Sequence, residues 1–277
     1  SSELIILSGK KYSTNGSKLT LEDGRTVTAT ATNVTGYTTA FTGWSPTSGT
    51  VSSATTVTAN FSRTANVYTI SLDNQSATSA GSTAVYEKYN TGIYKEEGCT
   101  NEITTNSNAI TKPTKSYTLT YDANGGSVTE TSTTASYTFG GYYTSTNGNG
   151  TQMINTNGYI TSDFKTTQYT ANATLYAKWT NNNITLATPT RPGYAFAGWY
   201  TQKDGGTQIT STSQITSNRT IYAHWTLNGY TVTYDYKTNG GTSSTKETAS
   251  VSYGTAIDLS PTATKAGYVF VGWNTNK

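Results

Sequence analysis

Few residues in this chain could do chemistry, and their neighbours decide what each can do. His224 is the only histidine and Cys99 the only cysteine in 277 residues. His224 lies in Thr220-Ile-Tyr-Ala-His-Trp225, where two related stretches carry Lys178 and Asn60 instead. A position that accepts His, Lys and Asn faces outward, and a catalytic triad or zinc site needs partners that the chain lacks. Cys99 has no histidine near it in sequence to act as a base, so a partly buried, unpaired thiol is expected. Asp122-Ala-Asn124-Gly125-Gly126 looks like half a calcium loop. It lacks the alternating acidic ligands and the closing Glu, so it reads as a turn. The 15 acidic residues are scattered, with only Glu22-Asp23 and Glu96-Glu97 adjacent, and mark no glycosidase-like pair. No Gly-rich phosphate loop is present. The expected catalytic, cofactor-binding and metal-binding residues are therefore none, and the chain is not expected to be an enzyme.

The aromatic residues have two readings. Trp179, Trp199, Trp225 and Trp273 recur at equivalent places in related stretches, which points to core. Tyr176, Tyr200 and Tyr222 fall on the outward side of their strands and are the candidates for ligand contact, because exposed rings can stack on sugars or peptides.

Strands must position these rings. Only 33% of the chain is hydrophobic and 12% charged, yet it holds 22 Tyr and 5 Trp. Disordered chains are poor in such residues, so folded β-structure in thin layers is expected. A net charge of +3, without a Lys/Arg run, gives no nucleic-acid face. No segment approaches transmembrane length, and Leu4-Ile-Ile-Leu7 is too short for the apolar core of a signal peptide.

Self-similarity is the dominant signal. Three openings alternate with period two: Tyr68-Thr-Ile-Ser-Leu-Asp73, Tyr117-Thr-Leu-Thr-Tyr-Asp122 and Tyr230-Thr-Val-Thr-Tyr-Asp235. Two run into Asn124-Gly125-Gly126 and Asn239-Gly240-Gly241, which suit tight turns. A second element reads Gly193-Tyr-Ala-Phe-Ala-Gly-Trp199 and Gly267-Tyr-Val-Phe-Val-Gly-Trp273, with looser copies at Ser136–Tyr143 and Gly36–Trp44. Strict alternation puts Tyr194, Phe196 and Gly198 on one face and Ala195, Ala197 and Trp199 on the other, as in a central strand. A third element closes the copies: Thr174-Leu-Tyr-Ala-Lys-Trp179, Thr220-Ile-Tyr-Ala-His-Trp225 and Thr56-Val-Thr-Ala-Asn-Phe61. Leu175, Ala177 and Trp179 point one way, Tyr176 and Lys178 the other. Near the start, Lys18–Ala29 reads as a hairpin whose three-residue loop Glu22-Asp23-Gly24 sets Leu19 against Val27 and Leu21 against Arg25. Residues 74–115 permit a short helix or turn around Glu87-Lys88 and Lys95–Cys99, and no sustained helical stripe occurs anywhere.

The ordered set Tyr230-Thr-Val-Thr-Tyr-Asp, Asn239-Gly-Gly, Val251-Ser-Tyr-Gly254 and Lys265–Trp273 resembles the Listeria–Bacteroides repeat, also called the internalin B-type repeat. Thr190–Tyr200 with Thr220–Trp225 resembles its second half. The resemblance runs from residue 117 onward, with a degenerate form over 30–116. It implies small β-grasp-like modules in tandem, forming an elongated array in surface proteins, chiefly of Gram-positive and gut bacteria. The implied division is a degenerate N-terminal β module at 1–66, a β module of unclear frame at 67–116, and repeat modules at 117–180, 181–227 and 228–277. The last of these lacks its closing strand. The copy at 117–180 lacks the usual middle, and 181–227 has no opening strand. An offset frame, strands shared between modules, or a chain cut inside a module would each account for this. The implied role is an extracellular stalk, filament scaffold or adhesive region at the cell surface or cell wall. The alternative is host glycan or mucin binding through exposed aromatics. A thioester-type adhesin role for Cys99 has no supporting domain. The expected partners are neighbouring modules or self-association through an open strand edge, or host glycan, with no nucleic acid and no direct membrane insertion.

Overall fold

The computed structural model describes residues 8–275 and is mainly β, with one five-residue α-helix. The Leu4–Leu7 run lies outside the described residues. Among those described, no helix is long and apolar enough to cross a membrane. The chain forms two compact units, each built from separated stretches. The first holds residues up to Lys115 together with Thr138–Thr180; the second holds Ser116–Tyr137 together with residues from Asn181 onward.

In the first unit, strands Thr26–Thr28, Lys18–Leu21, Lys11–Asn15 and Ser48–Thr50 form a sheet in that order. Leu19 pairs with Val27, the Leu21 amide donates to the Arg25 carbonyl at 2.9 Å, and Gly24 takes a positive φ of 85°. The three-residue loop is thus as expected, with Leu19 and Leu21 buried. Tyr37–Ser45 pairs antiparallel with Thr58–Ala65.

The remainder of the unit is built on the opening strand Val67–Asp73. It pairs antiparallel with Ala84–Lys88 on one side and parallel with the closing strand Ala173–Asn181 on the other. Of the stretch that permits a short helix or turn, Glu87-Lys88 lies in the strand Ala84–Lys88, whereas Lys95–Cys99 is a turn, closed by the Cys99 amide donating to the Glu96 carbonyl at 3.0 Å, between strands Gly92–Tyr94 and Glu102–Ile103. Val85, Ile93 and Ile103 supply apolar residues to the core at strand spacing. The helix lies at Ser162–Thr166, where none was expected. Thr161 caps it by accepting from the Phe164 amide, which turns Phe164 into the core.

In the second unit the closing strand Arg219–Leu227 lies between two neighbours. It runs parallel to Lys115–Asp122, pairing Tyr121 with Ile221, and antiparallel to Tyr194–Tyr200, pairing Trp199 with Ala223. Leu119, Tyr121, Ala135, Ile184, Trp199 and Ile221 form the core. The apparently missing middle and opening have a topological origin. The opening at 117 belongs with the middle and closing strands at 184–227, and the opening at 68 pairs with the closing strand at 173–181.

The Gly-Tyr strand departs from strict alternation. A bulge between Phe196 and Gly198, with Gly198 at φ 134°, turns the strand so that Phe196 and Trp199 share the core side at 5.6 Å. Ala195 and Ala197 are left exposed. The same bulge recurs between Phe41 and Gly43, where φ is 144°.

One connection is built twice. In the first unit the Gly36 carbonyl accepts from the Asn66 amide, and the Asn66 carbonyl from the Tyr89 amide, each at 2.9 Å. A Cβ on Gly36 would sit 2.2 Å from the Tyr89 ring. In the second unit Gly193, Asn228 and Tyr253 repeat both bonds at 2.9 Å, and a Cβ on Gly193 would sit 2.0 Å from the Tyr253 ring. Both glycines hold φ near 76–77°, which an L side chain resists.

Candidate functional site

The closing strands carry the outward aromatic residues. In the second unit Ile–x–Ala spacing puts Ile221 and Ala223 inward, fully buried, so Tyr222 and His224 share the other face. Register brings Tyr200 opposite Tyr222. The His224 ring stacks on Tyr200, with centroids 3.9 Å apart and planes at 8°, and His224 Nε2 meets the Gln202 carbonyl at 2.9 Å. Two of the expected ligand-contact residues, Tyr200 and Tyr222, are thus brought together. Tyr176 belongs to the other unit, half-buried on its own closing strand. There Lys178, at the position of His224, lies 5.5 Å from the Tyr143 ring. The outward face therefore repeats an aromatic ring beside a nitrogen-bearing side chain, and the face of Tyr200 nearest His224 is already covered.

Beside the Tyr200 face is a shallow cavity of about 280 Å³ lined by Asn124, Arg191, Tyr194, Lys203, Asp204 and His224. Asp122 stands near it, 3.9 Å from the Lys203 ammonium, but its carboxylate serves the turn by accepting from the Asn124 amide at 2.8 Å. Asn124 and Gly125 both take positive φ, so this segment is a turn, as expected. Among the described residues no group of three or more His, Cys, Asp and Glu is placed to hold a metal ion.

Cys99 is partly buried and free. Its thiol donates to the Glu97 carbonyl at 3.3 Å, and burial pushes its pKa up, which keeps it protonated and weakly nucleophilic. Beside it the half-buried Glu96 accepts through its carboxylate from the Thr100 hydroxyl and from the Thr100 and Asn101 amides. These bonds hold its pKa down to about 2.

The tryptophans divide. Trp199 is 1% exposed, with its indole donating to the Ala187 carbonyl at 2.8 Å and its ring 4.5 Å from Tyr121. Trp179, Trp225 and Trp273 are half-buried. Trp179 and Trp225 each donate at 3.0 Å to a carbonyl just past the opening strand, of Asn74 and Ala123.

Sequence reasoning missed Glu87. It is 3% exposed, and both carboxylate oxygens accept from the Tyr169 amide at 3.1 and 3.0 Å. Burial raises its pKa. The signal was present in Val85 and Glu87, which share a face by alternation.

Comparison with known proteins adds one finding. No curated protein and no solved structure matches the chain. The sequence model of the Listeria–Bacteroides repeat domain matches residues 180–224 and 230–277, so about the last third of the chain is similar to that repeat family.

Proposed function

We propose that the chain is an extracellular structural or adhesive repeat region of a bacterial cell-surface protein, a stalk or filament scaffold of β-grasp-like modules in tandem. The matched repeat family is typical of bacterial surface proteins. The observation that carries the structural reading is the twice-built Gly–Asn–Tyr connection, Gly36–Asn66–Tyr89 and Gly193–Asn228–Tyr253. A connection repeated with the same bonds and the same ring-on-glycine contact suits a chain whose task is to hold successive modules at a set orientation.

The adhesive alternative has its own support in the adjacent Tyr200 and Tyr222. A mucin and plant glycan array probed with the purified chain separates the two. Silence across the array is the outcome expected of a stalk. Binding that disappears in Tyr200→Ala and Tyr222→Ala would replace that reading with glycan recognition.

A further inference from the structure

The first unit holds a cavity lined by a buried carboxylate. On strand Ala84–Lys88, Val85 and Glu87 share the inward face. Register sets Glu87 beside Ile93, and Ile93 beside Ile103, so the carboxylate stands in a row whose next members are apolar. Ile160 and Phe164, from the segment that carries the helix Ser162–Thr166, line the same cavity, whose volume is about 180 Å³. Asn90, at the turn after the strand, and Gln168, after the helix, line it too. The Gln168 side-chain amide donates to the Asn90 side-chain carbonyl and ties these two segments together. Glu102 completes the lining, with its carboxylate folded over Gly92, where a Cβ would stand 2.7 Å from Oε1.

Glu87 lacks a positive partner. An ionised carboxylate offers about four acceptor positions. Among the described residues only the Tyr169 amide reaches Glu87, shared between its two oxygens, and no Lys or Arg pairs with it. The raised pKa of Glu87 fits a desolvated carboxylate with too few donors. Taking such a group out of water is costly unless a cation or a full set of hydrogen bonds replaces the water. Val85, two positions earlier on the same face, shows that an apolar residue fits this layer. A neutral hydroxyl from a ligand would fill an acceptor position but leave the charge unmatched. An ammonium does both.

We propose that this cavity binds one alkylammonium group, with the ammonium on Glu87 and an unbranched carbon chain against Ile93, Ile103, Ile160 and Phe164. At about 30 Å³ for each water-sized group the cavity holds about six of them, the size of a five-carbon chain with its ammonium. Lys88 and Lys165 also line the cavity and repel a second positive charge, so the ligand class is the monoamine, whether a free amine or a lysine side chain. This goes beyond the stalk reading and does not depend on it, since neither the module connection nor the outward tyrosines take part.

The test titrates n-pentylamine into the full chain at neutral pH and follows amide chemical shifts. Saturable shifts are expected at the Tyr169, Ile93 and Ile103 amides. n-Pentanol, with the same chain and no charge, should bind at least tenfold more weakly, as should 1,5-diaminopentane. Glu87→Gln keeps an acceptor for the Tyr169 amide but removes the charge, and should weaken n-pentylamine at least tenfold. If that variant does not fold, the comparison of amine with alcohol on the unaltered chain decides alone. Absence of saturable shifts at the three amides would overturn the proposal. Equal affinity for amine and alcohol would overturn it too, as would equal shifts from sodium chloride at the same ionic strength. Lysine with both backbone groups blocked separates the sources. Binding as tight as that of n-pentylamine assigns the site to a partner's lysine side chain, and no binding assigns it to a free amine.

Discussion

Substituting Gly193 by alanine tests the ring-on-glycine connection directly. Two costs arise at this position. At φ 76° an L side chain pays about 1–2 kcal/mol for the left-handed backbone. The new Cβ would also stand 2.0 Å from the Tyr253 ring, which must move away. Tyr253 is 49% exposed, so the ring has about half of its surface to lose. That corresponds to about 1 kcal/mol, half of what burying a large apolar side chain contributes. Gly193→Ala should therefore cost about 2–3 kcal/mol locally. In a Tyr253→Ala background only the backbone cost of about 1–2 kcal/mol remains, leaving a coupling of about 1 kcal/mol. Gly267→Ala, at φ 78° with nothing within 4 Å, is the control that carries the backbone cost alone. The readout is native-state hydrogen exchange of the Asn228 and Tyr253 amides, which close the connection. A coupling of about 1 kcal/mol appears there as about a fivefold change in opening. Additive effects of the two substitutions, within about 0.3 kcal/mol, would refute the claim that the ring on the glycine holds the connection.

Three further outcomes are expected. Glu87 has a folded-state pKa raised above its ordinary 4.5, so its contribution is complete below that value and is lost as pH rises through the folded value. Glu87→Gln should flatten the pH dependence of first-unit stability above pH 4.5 in urea titrations, and an unchanged slope would count against burial as the cause. Glu96 has the opposite sign: its loop contacts are complete above 4.5 and are lost as pH falls through about 2. The Thr100 and Asn101 amide shifts in NMR should titrate with that low midpoint. Trp199→Ala should destabilise the second unit by about 3–5 kcal/mol, as for other buried aromatic truncations, and half-buried Trp225→Ala by clearly less.

Local patterns were legible in the sequence. Alternation placed Leu119 and Tyr121 inward and Thr118 and Thr120 outward, and put Leu175 and Ala177 in the core. Turn chemistry at Glu22-Asp23-Gly24 set the hairpin register, since a loop one residue shorter would have turned Leu21 toward Thr26. Non-local choices were not legible. Period-two reasoning put Phe196 and Trp199 on opposite faces because it has no way to count the extra residue that Gly198 admits. Which opening strand joins which closing strand depends on pairing across about a hundred residues, as between Leu72 and Leu175, and the similar motifs carry no label of partner. Of the outward tyrosines, Tyr200 and Tyr222 meet by register across their strand pair, whereas Tyr176 lies in the other unit, on a closing strand whose neighbour ends in Tyr143.

The parallel pairing of opening and closing strands has a mechanical consequence. A pull applied at the start of Val67–Asp73 and at the end of Ala173–Asn181 would load this parallel pair in shear. Because these strands are parallel, the load slides one along the other and strains all their ladder bonds together, instead of opening them one at a time from an end. The pair Lys115–Asp122 and Arg219–Leu227 is loaded in the same shearing sense. Forced extension is then governed by simultaneous rupture of a short ladder, a geometry that keeps unfolding under pull slow even where the apolar core is thin.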